Sequence, residues 1–593
     1  MRLRVVVGLA AAAVALVVAA QAMAAGASCK GSVNGTLASS GFNPATLASH
    51  TPGGSPSAVN KSIADACDAG TPAPQVGAQL LFNASYDAAT TAGLLRSGFG
   101  VALTPAAGTL KTVGYGATPI ASALKSVYGA TALQAAQALK DVGFSVSDIA
   151  GALAGGLGST PLEAAQVLRA LGYGVLDVAG ALKTTYSLAA SPAARTLADA
   201  GFTIVEVGTA LQQTFALDAA GAALALKAAS FLATETGVVL QQVYTTAGNI
   251  AAGILRTVGY IDVEVGQVLK TVYNFAGDAA AAAMRFAGFE VQQVAKALNT
   301  VFQFAADATA KALDFAGYIA TETANALKAV YSITSDAITT LLKDAGYAVT
   351  EIGAALRDAY GLAGDAAASL LRNAGYLANE IADALVQEFG FAAAPLALTL
   401  KTLGFAADVV ATAIDVTLHA AGQVIAFSLK LAGFGVDEVA AAMKLAFSLS
   451  STVVVGLLKG AGFIATEVAD GIRFAFNLSA DVIAAEMKAV GFLADEVAQA
   501  LKFTFGLAGD AAAGILKAAG FTATEIAGAL QTVFSLGADA VAGILKGIGF
   551  AVGEIGDALE GAFNLAEDAV GDILDAIGFN PCDWVHIPVV CDI

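Results

Sequence analysis

From Tyr115 to Phe579 an aromatic residue returns every 29 residues, seventeen times, without an insertion or deletion. Each follows a glycine except Phe231, which follows Ser230. A fixed period of this length is the mark of a repeat architecture, in which one supersecondary unit stacks on copies of itself. The 593 residues therefore read as one array of local units rather than several globular domains.

One copy, Phe521 to Gly549, is counted here from its aromatic as position 0. Positions 5, 8, 9 and 12 are apolar or small at helical spacing, and positions 20, 23, 24 and 27 repeat the pattern. Position 13 is aromatic in every copy but two, Leu157 and Leu418. Each unit is thus a helical hairpin. Residues such as Thr321, Thr350, Asp437 and Thr524 at position 3, and Asp365, Asp510 and Asp539 at position 18, are expected to be N-caps. Pro119 at position 4, and Pro105, Pro192 and Pro395 at position 19, would then stand at the first helical residue. Pro161 lies two positions early, which implies an earlier second helix in that copy. Glycine at position 28 is expected to end the second helix in the left-handed conformation. The helices should run over positions 4–13 and 19–27, too short to stand alone and held by their neighbours.

The expected fold class is all-α: an α-solenoid of about sixteen 29-residue hairpins with small disulfide-closed caps. Residues 86–114 read as a degenerate copy, since Leu95, Arg96, Phe99, Leu110, Lys111 and Gly114 fall in register. Residues 25–85 would be the N-terminal cap, 115–579 the array and 580–593 the C-terminal cap. Gly41-Phe42-Asn43-Pro44 echoes Gly578-Phe579-Asn580-Pro581 near the two ends.

The start of the chain is different. Basic Met1 to Arg4, apolar Val5 to Ala20 and the small-residue site Ala22-Met23-Ala24 read as a secretory signal peptide over residues 1–24. Mean hydropathy is high, at +0.70, yet the array is broken by charge or glycine too often for a spanning helix. No transmembrane segment is expected after cleavage, and the chain is placed in the periplasm, the extracellular space or on the cell surface. Export makes disulfides possible, and Cys29 with Cys67, and Cys582 with Cys591, are the economical pairs. Net charge of −18 argues against nucleic acid, whose phosphates call for a basic face.

Little chemistry is written in the motifs. Position 4 is acidic in thirteen of sixteen copies, and Lys or Arg recurs at position 25 in residues such as Lys343, Arg372 and Lys459. A ladder of carboxylates could hold cations, but both columns suit the dipoles of their own helices, and neither resembles a calcium loop. No nucleophile, phosphate loop or metal motif is present. Of the three histidines, His419 follows Asp415 by one helical turn, and His50 and His586 lie in the caps without evident partners. No catalytic, metal or cofactor residue is assigned.

In form, residues 115–579 resemble the α-solenoids, such as the HEAT, armadillo and TPR groups and the two-helix DNA-reading repeats of bacterial effectors. The 29-residue length, the Gly-aromatic junction and the Ala123-Leu124-Lys125 type of core match none of their motifs. The resemblance therefore implies architecture alone.

The expected function is that of an exported, non-enzymatic scaffold, structural or protein-binding. A self-assembling filament or surface-layer subunit is the alternative, and cation binding or hydrolysis a third reading. One run of residues points to a partner site. Position 11 lies outside the 5, 8, 9, 12 core set and is polar or small in most copies, yet it becomes Val416, Leu445, Phe474 and Phe503 in four consecutive ones. Stacking would align these into one apolar column for a protein partner or self-association. The competing reading is that they are buried by a locally wider core.

Overall fold

The computed structural model describes residues 2–580 and Trp584. Among the described residues all regular structure is helical, and successive helices pack in a regular order, as the 29-residue period predicts. The chain divides into two compact units, Met1–Gln303 and Phe304–Ile593.

Within each unit the first helix of a repeat packs on the first helix of the next, and second helix packs on second. The core is made at positions 5, 6, 8, 9, 20, 21 and 24. In one copy these are Ile526, Ala527, Ala529, Leu530, Val541, Ala542 and Leu545, all buried. Alanine at 6 and 8 lets neighbouring backbones approach, and the volume at the two positions is shared between repeats. Val239 and Val268 are the only valines at position 8, and each faces a glycine at position 6 of the preceding copy, Gly208 or Gly237. A Cβ on Gly237 would stand 2.5 Å from Val268 Cγ1.

Two left-handed residues end the two helices of every copy. Position 28 is left-handed as predicted, and Ser230, the exception to glycine, adopts φ 64° as well. Position 14 is left-handed too, through Gly129, Asn274, Ser332 and Asn564 among others.

The helix starts differ from the sequence expectation by two residues. First helices begin at position 2, as in Ala523–Phe534, and second helices at position 17, as in Ala538–Gly547. Thr321, Thr350, Asp437, Thr524 and the Asp365 column therefore sit inside the first turn rather than at the N-cap. For the first helices the reason lies at position 4. In twelve of the thirteen acidic copies this carboxylate accepts the amide of position 1, as Glu322, Glu380 and Glu467 do. A carboxylate at the third helical residue satisfies the N-cap amide without any particular N-cap side chain. Only Ser145, Thr203 and Thr522 add the reciprocal hydroxyl bond. The prolines fit this register. Pro119, Pro105, Pro192 and Pro395 occupy the third helical residue, and Pro161 the first, all among the four amides that have no partner within the helix. Pro161 thus sits in the common register.

Residues 25–85, rich in small and turn-forming residues, are mostly helical. Helices Pro44–His50, Pro56–Asp68 and Ala73–Asn83 follow a long helix, Arg2–Ser39, which is continuous through Ala22-Met23-Ala24. Cys29 and Cys67 form a disulfide that joins this helix to Pro56–Asp68, with Cα atoms 5.7 Å apart. Val33, Leu37, Leu47, Val59, Ile63 and Leu81 form a local core around it. Residues 86–114 fold as a hairpin whose first helix, Ala88–Gly93, continues as a wider π turn, Leu94–Gly98, before the second, Leu103–Val113.

At the other end, Trp584 packs over helix Val552–Phe563 where Gly556 leaves room, so that a Cβ on Gly556 would overlap the indole. It occupies the place that a following repeat would fill with its position-8 residue. The Cys582–Cys591 pair, His586 and most of the 580–593 cap lie outside the described residues. Among the described residues no helix is long and apolar enough to cross a membrane.

Candidate functional site

The recurring charges belong to the fold. Lys and Arg at position 25 do act on a helix C-terminus, but on the neighbour's rather than their own. Lys343 Nζ donates to the Ala374 carbonyl at 2.6 Å and lies 4.3 Å from the Tyr376 ring centre. In the same way Lys111, Lys459 and Lys517 reach the carbonyls of Val142, Val490 and Ile548 and the rings of Phe144, Phe492 and Phe550. Each cation thus meets the negative end of the next second helix and an aromatic face together.

A second row of the same kind, which the sequence reading missed, runs along the first helices at position 10. Lys183, Lys270, Lys444, Arg473 and Lys502 bond the carbonyls of Thr214, Val301, Ala475, Thr504 and Val533 and lie over the position-13 aromatics. The signal was present in the constant spacing of Lys, Arg and Gln to the last residues of the next first helix.

Where tyrosine is present, its hydroxyl can tie a repeat to the one before. Tyr115, Tyr260 and Tyr347 donate to the carbonyls of Tyr86, Phe231 and Tyr318 at 2.6, 2.9 and 2.9 Å. The same hydroxyls pair with Thr91, Thr236 and Thr323, buried threonines at position 5. Position 5 is threonine only where tyrosine opens the next copy. Burial pushes the Tyr186, Tyr244 and Tyr376 phenols up to about 12, with nearby carboxylates adding to the effect.

The histidines have ordinary structural places. His419 is the left-handed residue at position 14, and its amide donates to the Asp415 carbonyl at 2.8 Å. His50 was expected to stand alone, but its Nδ1 lies 2.9 Å from the Thr46 carbonyl and its ring packs on Tyr86. Among the described residues no group of three or more His, Cys, Asp or Glu side chains is placed to hold a metal ion.

The apolar run remains once these roles are assigned. Position 11 faces solvent in every copy from 115 to 579. Val416, Leu445, Phe474 and Phe503 are 53, 68, 67 and 68 % exposed, so the buried-core reading of these residues does not hold. They stand on four successive first helices, Ala407–Leu418, Val436–Phe447, Ala465–Phe476 and Ala494–Phe503, which pack against one another. Packed helix axes lie about 8–10 Å apart, so the four side chains form one row across the stack.

Position 4 shares this face, two turns (about 10 Å) nearer the helix start. Among the four copies of the row the acidic column is broken in the first, at Val409, which is also exposed. The break adjoins Val416 and opens a groove lined by Leu377, Asp408, Val409, Thr412, Val416 and Leu445. Elsewhere Glu438, Glu467 and Glu496 at position 4, with Asp470 at position 7, form an acidic border beside the row. Exposed Leu377, Ile464 and Leu493 at position 1 lie beyond that border and were not singled out in the sequence. Comparison with protein-family models and with curated proteins finds no match to this chain.

Proposed function

We propose that this chain is a non-enzymatic scaffold working outside the cytoplasm, which binds a protein partner along Val416, Leu445, Phe474 and Phe503. The observation that carries the reading is the row itself. Position 11 is solvent-facing throughout the array, so the fold has no need of large apolar side chains there. Four in succession on packed helices make a contiguous exposed patch of the kind that marks interaction sites, unlike single exposed apolar residues, which are ordinary.

Two further observations support the rest of the proposal. The Cys29–Cys67 disulfide fits an oxidising compartment. The acidic columns serve as helix caps and the basic columns as ties between repeats, which leaves few charged groups for chemistry.

The test is the double variant Phe474→Ser/Phe503→Ser. Circular dichroism and melting should match the unaltered protein, while retention of partners from native extracellular or periplasmic material, or self-association in light scattering, should fall. Unchanged retention and unchanged association with an intact fold would remove the proposed face.

A further inference from the structure

The row has a pitch and a charged border, and together they describe its occupant. We infer that the partner segment is an amphipathic α-helix lying across the stack, with apolar residues at heptad spacing and a basic flank. The inference rests on the proposed function above.

The pitch comes first. Side chains of the row recur once per packed helix, about every 8–10 Å. On an α-helix, residues i and i+7 are two turns apart, face the same side, and are separated by about 10 Å along the axis. Residues at i, i+7, i+14 and i+21 of one helix therefore meet Val416, Leu445, Phe474 and Phe503 in turn, over about six turns. An apolar stripe laid on an apolar surface is an established way for a helix to be recognised.

The charge comes second. Glu438, Glu467, Asp470 and Glu496 border the row on the side toward the helix starts. The cations on the same helices, Lys444, Arg473 and Lys502, are directed to the carbonyls of Ala475, Thr504 and Val533 and to neighbouring rings. The border thus presents negative charge, in a chain of net charge −18. Lys or Arg along one flank of the partner helix complements it. A second copy of this chain seated on the same face would bring like carboxylates together in a two-fold contact, so the charge favours a basic partner over self-pairing.

The test uses three labelled synthetic helical peptides and the full chain, read by fluorescence anisotropy. The first carries leucine at i, i+7, i+14 and i+21 with lysines along one flank. The second has the same composition with the leucines moved out of the heptad register, and the third has glutamate in place of lysine. Expected is saturable binding of the first, weakened by added salt, with the second and third at least tenfold weaker. Phe474→Ser/Phe503→Ser should weaken the first peptide at least tenfold, and Asp470→Lys, which leaves the row intact, should weaken it several-fold.

Equal binding of the in-register and out-of-register peptides would overturn the helical occupant, and equal binding of the glutamate peptide would overturn the basic flank. These comparisons use the unaltered protein, so they stand even where a variant misfolds. If Phe474→Ser/Phe503→Ser abolishes native-partner retention while the first peptide does not bind, the proposed function stands and this inference fails.

Discussion

The stretch from 86 to 376 and the stretch from 377 to 579 obey one repeat but are finished differently. All thirteen tyrosines fall in the first, where phenols tie repeats together through backbone carbonyls and buried threonines. The second has phenylalanine or leucine at the same places and no tyrosine, and it carries the apolar row at position 11. Where Gln213, Gln242 and Thr271 face solvent in the earlier stretch, Leu445, Phe474 and Phe503 face it in the later one. The helices, caps and lysine ties are alike in both. The difference at position 11 is therefore imposed on the fold rather than required by it, and that is the ground for reading it as function.

The largest expected effect lies within one helix. Ile472 at position 9 is fully buried, and Phe474 two residues later is exposed. Ile472→Ala should cost about 2–5 kcal/mol, the range for emptying a core site. Phe474→Ser should change stability by no more than about 0.5 kcal/mol, as exposed substitutions do. Chemical denaturation of the two variants measures the contrast, and a comparable loss from Phe474→Ser would place that ring in the core.

A smaller effect is expected in the earlier stretch. Gly237→Ala puts a methyl against Val268 and should destabilise by about 1–3 kcal/mol through overpacking. Gly253→Ala, in the nearby helix Gly248–Thr257 with nothing within 4 Å of the new Cβ, should stabilise by about 0.5–1 kcal/mol. Melting curves that move in the same direction for both would refute the shared-volume rule at positions 6 and 8.

Much of this was legible in the sequence, and the misses have physical causes. The period, the two helices, the core positions 5, 8, 9, 20 and 24 and the glycine stop at position 28 follow from spacing alone, because burial and left-handed backbone leave strict residue requirements. Positions 12, 23 and 27, expected in the core, are only partly buried in most copies. The helix starts did not, because a carboxylate at the third helical residue can cap an N-cap position occupied by Leu377, Ile464 or Ala348. Hydroxyls and aspartates two residues inside the helix then gave a false signal. The lysine ties were missed because a side chain that reaches the next repeat leaves no trace within its own. Val416, Leu445, Phe474 and Phe503 could be found because they depart from their column, and Val409 departs from its own column in the same way.

Alkaline pH should separate the two stretches next. Tyr186, Tyr244 and Tyr376 carry phenols raised by burial to about 12, above the ordinary value of about 10. Between these values the unfolded chain releases protons that the folded chain keeps, so stability falls as pH rises from about 10 to 12. The contribution is fully present below about pH 10. Ultraviolet titration of the native protein should show phenol ionisation delayed beyond its midpoint in denaturant, with helicity lost above about pH 10. Tyr244→Phe should move that loss to higher pH. Titration of all phenols near their ordinary value in the folded protein would show that they are open to solvent.

The smallest effect on stability comes from building the row where it is absent. Gln213, Gln242, Thr271 and Thr300 occupy position 11 on four successive first helices of the earlier unit, and all are exposed. Of their position-4 partners, Glu206, Glu235 and Glu264 supply a similar acidic border and Gln293 is neutral, as Val409 is beside the natural row. Gln213→Val, Gln242→Leu, Thr271→Phe and Thr300→Phe should each shift stability by no more than about 0.5 kcal/mol, since the side chains stay in solvent. If the row and its border are sufficient, the quadruple variant should bind two copies of the in-register basic peptide where the unaltered chain binds one, as isothermal titration would count. A stoichiometry that stays at one, with the fold intact, would mean that the groove beside Val409 is a required part of the site rather than an extension of it.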